Sequence, residues 1–158
     1  MVLDIHNYPR RVSSVLDKIR KDEQISDSNK LLILKYHQHL EACGISAGRV
    51  MKYLYHLRSI NNMMKMDFEK ATRDDMEKLM QYLEKSNYKD NTKKDFKVVV
   101  KRFWQWMKDF PDKRYPPEVD FIGPHNARTM FYFHDSVNRR DNIEQVLNEL
   151  KESSKNRN

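Results

Sequence analysis

The sequence predicts an all-α protein, a four-helix domain made of two helical hairpins with one extra helix at each end. Three observations predict it. Apolar residues recur at i, i+3, i+4 and i+7 in segment after segment. Only 3 Gly and 5 Pro occur in 158 residues, and few turn dipeptides punctuate the chain, too few for a many-stranded β fold. The periodic segments are separated by short clusters of residues that start or stop helices, such as Ile25-Ser26-Asp27-Ser28-Asn29 and Ser86-Asn87-Tyr88-Lys89-Asp90.

In order, residues 10–22 form a short basic helix, α1, with an apolar stripe of Val12, Val15, Leu16 and Ile19. It can act as a DNA-binding arm, but capping the bundle is the plainer role. Helix α2 runs from the 25–29 cap cluster to about Cys43, with Leu31, Leu32, Leu34, Tyr36, His37 and Leu40 as apolar bulk. Gly44 follows it as a C′ glycine. Ser46 caps α3, residues 47–64, whose core face reads Val50, Tyr53, Leu57, Ile60 and Met64. After a connection at 67–71, Thr72 and Asp75 make a capping-box-like start for α4, which runs to about Lys85 with Met76, Leu79, Met80 and Leu83 inside. Helix α5, residues 91–107, is the most informative stretch. Phe96, Val99, Val100, Phe103 and Met107 form one apolar face, and Lys94, Lys97, Lys101 and Lys108 line the opposite one. Trp106 lies near the core face and packs there, while Trp104 sits at its edge. A Pro-containing segment follows, and residues 118–138 are unassigned, with an aromatic cluster at Phe131, Tyr132 and Phe133. Residues 141–152 form a last helix, α6. The organisation is thus a basic helix or arm at 1–24, the four-helix domain at 25–110, a linker and unassigned segment at 111–139, and a helix with a frayed tail at 140–158.

Shifting the chain by 43 residues aligns the two hairpins. Ile33 falls on Met76, Tyr36 on Leu79, Leu40 on Leu83, Tyr53 on Phe96, Leu57 on Val100 and Ile60 on Phe103. Gly44 falls on Asn87, and both residue types tolerate left-handed backbone.

Charge follows the same repeat. The chain carries +7 and has a pI of about 9.4. Residues 46–66 hold Arg49, Lys52, Arg58 and Lys65 with no acid, and residues 89–108 hold seven basic residues against Asp90 and Asp95. Positive charge is sorted onto the second helix of each hairpin, the electrostatic footprint of a polyanion-binding face. No apolar run approaches the roughly 20 residues that span a bilayer. The first residues lack the apolar core of a signal peptide. The single Cys43 cannot make an internal disulfide. These features predict a cytoplasmic protein with no membrane partner.

The segments GISAGRVMKYLYHLRSI at 44–60, DFEKATRDDMEKLMQYL at 67–83 and YKDNTKKDFKVVVKRFWQWM at 88–107, with YPPEV at 115–119, resemble the N-terminal core-binding (SAM-like) domain of tyrosine recombinases, the phage-type integrases, in their archaeal form. The resemblance covers residues 25–120. It implies half of a clamp around double-stranded DNA, with α3 and α5 contacting mainly phosphates, in DNA integration and recombination. By that resemblance the DNA-binding residues are Ser46, Arg49 and Lys52 on α3 and Thr92, Lys93, Lys94, Lys97 and Lys101 on α5; Arg58 on α3 joins them as a basic residue of the same helix, with Tyr55 and Ser59 second in rank. Lysine and arginine neutralise phosphates, and helix N-termini offer them N–H groups.

The family's catalytic half needs well over a hundred further residues, and its arginine, lysine and tyrosine set has no counterpart here. His125-Asn126-Ala127-Arg128 matches one catalytic spacing by coincidence, and Tyr132 is not where the nucleophile falls. The chain is therefore read as no enzyme. The histidines have no ligand spacing, so neither metal nor cofactor is expected. A full-length recombinase or a second copy of this chain is a further expected partner. The competing reading is a helical protein-interaction module, contacting a recombinase subunit or another acidic protein through Phe131–Phe133 and α6.

Overall fold

The computed structural model describes residues 7–123, and every regular element among them is helical. The expectations for His125–Arg128, the aromatic cluster at 131–133 and α6 lie outside the described residues. Helix α1 spans Tyr8–Lys21, α2 Asp27–Ala42, α3 Ala47–Met64, α4 Arg73–Lys85 and α5 Asp90–Met107, with a 3-10 turn at Phe68–Lys70.

The boundaries follow from local chemistry. Ser26 Oγ accepts the Asn29 amide and starts α2. Helix α2 ends in a Schellman motif: the Gly44 amide donates to Glu41 O, the Ile45 amide donates to Leu40 O, and Gly44 takes φ +71°. Thr72 and Asp75 make a reciprocal capping box at the start of α4.

The four α1 stripe residues are all buried, and α1 packs most heavily on α3. It belongs to the same core as Ile33, Tyr36 and Leu40 of α2, Leu57 and Ile60 of α3, Met76 and Leu83 of α4, and Phe96, Val100 and Phe103 of α5. The described chain up to Ile122 forms one compact unit. Packing therefore continues past residue 110. Pro116, Val119 and Ile122 are buried. Gln105 Nε2 donates to Pro111 O and Arg114 O, folding the exit segment back onto α5.

Four expectations need correction. Leu31 is exposed, Leu32, Leu34 and His37 are half-buried, and Ile33 takes their place inside α2. In α3 the core includes Leu54 and Asn61, while Tyr53 and Met64 are half-buried. Trp104 is fully buried, with its ring 5.4 Å from Phe68, whereas Trp106 is half-buried and Met107 only partly covered. The 3-10 turn places Phe68 beside Trp104 and draws that flank of α5 inward. The pseudo-repeat also breaks at its second turn. Asn87 is not among the residues with positive φ, and α4 stops instead at Ser86, whose hydroxyl bonds to Leu83 O.

A buried polar lock holds α2, α3 and the 3-10 turn together. Asn29 Nδ2 donates to Asn61 Oδ1 and Met66 O, and Asn29 Oδ1 accepts the Phe68 amide. Both asparagines are under 3 % exposed, so these bonds satisfy groups that water cannot reach.

Candidate nucleic-acid interface

The basic residues on α3 and α5 divide into three groups according to what they face. The first lies where the N-terminal halves of the two helices meet. Lys52 Nζ stands 2.6 Å from Asp95 Oδ2, tying α3 to α5. One turn on, the His56 ring packs on Phe96 with centroids 4.3 Å apart, and Nδ1 donates to Lys52 O. Burial lowers the His56 pKa. Ser46, Arg49 and Lys52 are exposed at this end, and Thr92, Lys93 and Lys94 are half-buried. Neither Ser46 at the start of α3 nor Lys89 at the start of α5 makes a side-chain cap bond. The first-turn N–H groups of both helices thus lack a side-chain cap.

The second group is the lysine row of α5, which turns toward α4 and the exit segment. Lys97 pairs with Glu84, and Lys93 Nζ donates to Glu84 O at 2.9 Å. Lys101 Nζ lies 4.0 Å from the centroid of the Tyr115 ring, and burial lowers its pKa. Lys108 reaches Glu69 O at 3.4 Å. Lys94 has no ion-pair partner among the described residues. The third group faces α1. Arg58 donates through Nε and Nη2 to Asp22 Oδ2. The Gln24 amide, and after it Arg58, holds the Asp22 carboxyl below the usual range. Tyr55 is exposed, and Ser59 Oγ donates back to Tyr55 O.

The Lys52–Asp95 contact therefore links the N-terminal halves of α3 and α5. Arg58, Lys97 and Lys101 lie apart from that junction, each holding another part of the fold. Two residues outside the expected set stand beside it. Arg102 and Tyr53 line a groove of about 850 Å³ between α2, α3 and α5, together with Arg49 and Lys52. Burial raises the Tyr53 pKa, while Arg102, Arg49 and Lys52 counteract it. A sequence signal for Arg102 exists: it is i+7 from Asp95, on the same flank of α5.

Among the described residues no group of His, Cys, Asp and Glu could hold a metal ion, and no helix is long and apolar enough to cross a membrane. Comparison with protein-family models, curated proteins and solved structures returns no match.

Proposed function

We propose that this chain is a double-stranded-DNA-binding domain of the integrase core-binding type. It grips phosphates through the starts of α3 and α5 and performs no recombinase chemistry itself. The observation that carries this reading is the acid-free stretch 46–66, with Arg49 and Lys52 exposed in the first half of α3 and Lys52 tied to α5 through Asp95. Among the described residues Arg49 and Lys94 have no ion-pair partner, so they can meet phosphates without breaking an ion pair there. Uncapped N–H groups at both helix starts suit the same ligand. The reading implies a cytoplasmic role in DNA integration or recombination, with mainly sequence-independent contacts.

The test is fluorescence anisotropy on a labelled random duplex of about 30 bp at several salt concentrations, where four phosphate contacts give a log–log slope of about −3.6. The double variant Arg49→Glu, Lys94→Glu should bind far more weakly and with a shallower slope, while its circular dichroism stays unchanged. Equal affinity and slope for the variant and the parent chain would sink the proposal.

A further inference from the structure

The groove between α2, α3 and α5 lies in the size range of small-molecule sites. Its chemistry is graded along α5. At one end Lys52 is cancelled by Asp95. Next come Arg49 and Arg102, both exposed and without an ion-pair partner among the described residues, with the Tyr53 ring between the helices. The middle is aromatic. Trp106 is half-buried, and its ring lies 5.0 Å from that of Tyr36. At the far end stand Asp109 and Asp112, both exposed, with Phe110 between them in sequence. Arg102 lies five residues before the end of α5 at Met107, about 7.5 Å at the helical rise of 1.5 Å per residue, and Asp109 follows just past that end. Tyr36 and Tyr53 also line the groove.

We propose that this groove binds a nucleotide, with its phosphate between Arg49 and Arg102 and its base against Trp106. Guanidinium forks match phosphate oxygens in two-point fashion, which the committed Lys52 ammonium cannot do. An indole face stacks on any base. The aspartates at the far end accept hydrogen bonds, which suits a base edge carrying N–H donors, guanine most of all. This goes beyond the duplex reading and stands whether or not duplex DNA binds, because its test rests on Arg102 and Trp106, which the duplex reading does not use. The shared chemistry comes from two sources, a free mononucleotide or an unpaired nucleotide of a strand.

The experiment is a calorimetric titration of the full chain with GMP, guanosine and a short single-stranded oligonucleotide, with tryptophan fluorescence recorded in parallel. Trp104 is sealed in the core, so quenching reports on Trp106. GMP should bind saturably with a Kd below about 1 mM. Guanosine should bind at least tenfold more weakly. Arg102→Gln, at an exposed position, should weaken GMP binding about tenfold with unchanged circular dichroism, and Trp106→Phe should remove the quenching. An oligonucleotide much tighter than GMP and equally sensitive to Arg102→Gln assigns the site to a strand; GMP binding as tight or tighter assigns it to a free nucleotide. No saturable GMP or oligonucleotide binding, or affinities indifferent to Arg102→Gln, would overturn the proposal.

Discussion

Asn29 does more for this fold than its place in a helix-starting cluster announces. Its side chain makes three hydrogen bonds to two other segments, two of them buried and the one to Met66 O partly so. Asn29→Ala strands the Phe68 amide, Met66 O and Asn61 Oδ1, so urea unfolding should show a loss of about 2–4 kcal/mol. Periodicity cannot reveal such a residue, because it marks apolar positions and scores asparagine as surface. The same blindness explains Gln105, buried to hold the exit segment. It explains the two tryptophans as well: their order of burial is decided by Phe68, a residue in a connection. His56 gives a residue-scale pH effect. Burial of the ring, with Nε2 lacking a partner among the described residues, disfavours protonation, although the Nδ1–H bond to Lys52 O favours it. Lys52 opposes protonation further, and Asp95 favours it, but burial dominates. With the folded pKa below the unfolded 6.5, the unfolded chain binds more protons as pH falls. The stabilisation is full above the unfolded value and is lost as pH drops through the folded one. Urea midpoints between pH 7 and 5 should fall for the parent chain, and less for His56→Gln.

Elements were far more legible than residues. The helix ends coincide with residues whose chemistry stops or starts a helix: Ser26, Gly44, Thr72 and Ser86. Gly44 is the sharpest case, because its φ of +71° is open to glycine and strained for other residues, while an added Cβ would meet nothing within 4 Å. Gly44→Ala should therefore cost only backbone strain, about 1–2 kcal/mol by thermal or urea unfolding. Asn87, its counterpart under the 43-residue shift, needs no such backbone, and Asn87→Ala should change stability little. The repeat is thus a likeness of apolar spacing between two hairpins that end their first helices by different bonds. Alignment of core positions carries no information about turns. For the candidate interface, spacing along α5 correctly separated lysines from the core, but it could not say which neighbours the lysines meet. Lys93, Lys97 and Lys101 touch α4 or the exit segment because those elements come from 9 to 13 residues before and 14 after, in directions that one helix's pattern does not encode.

At the scale of the whole molecule, the exit segment decides where the domain ends. Val119 and Ile122 are 0 % and 3 % exposed, and Arg73 clasps the same segment through Asp120 at 2.9 Å and the Phe121 ring at 4.8 Å. A Pro-containing stretch after a helix reads as a linker, yet here it closes the bundle, and apolar residues only three apart were too few to mark it as core. Two truncations separate these roles. A chain ending at Gly123 should keep its cooperative unfolding, while one ending at Phe110 should lose about 3–5 kcal/mol, the burial of two aliphatic side chains. The same pair tests the functional reading. If phosphates are gripped at the junction of α3 and α5, the chain ending at Gly123 should bind duplex DNA with the affinity and salt slope of the full chain, since every residue invoked precedes that point. If the molecule instead works as a protein-interaction module through residues 124–158, that chain should lose its partner in a pull-down with a recombinase subunit, and duplex affinity should be weak for both lengths. Anisotropy on the two lengths, with unfolding curves beside it, decides between them, because Arg49, Lys94 and the described core all precede Gly123.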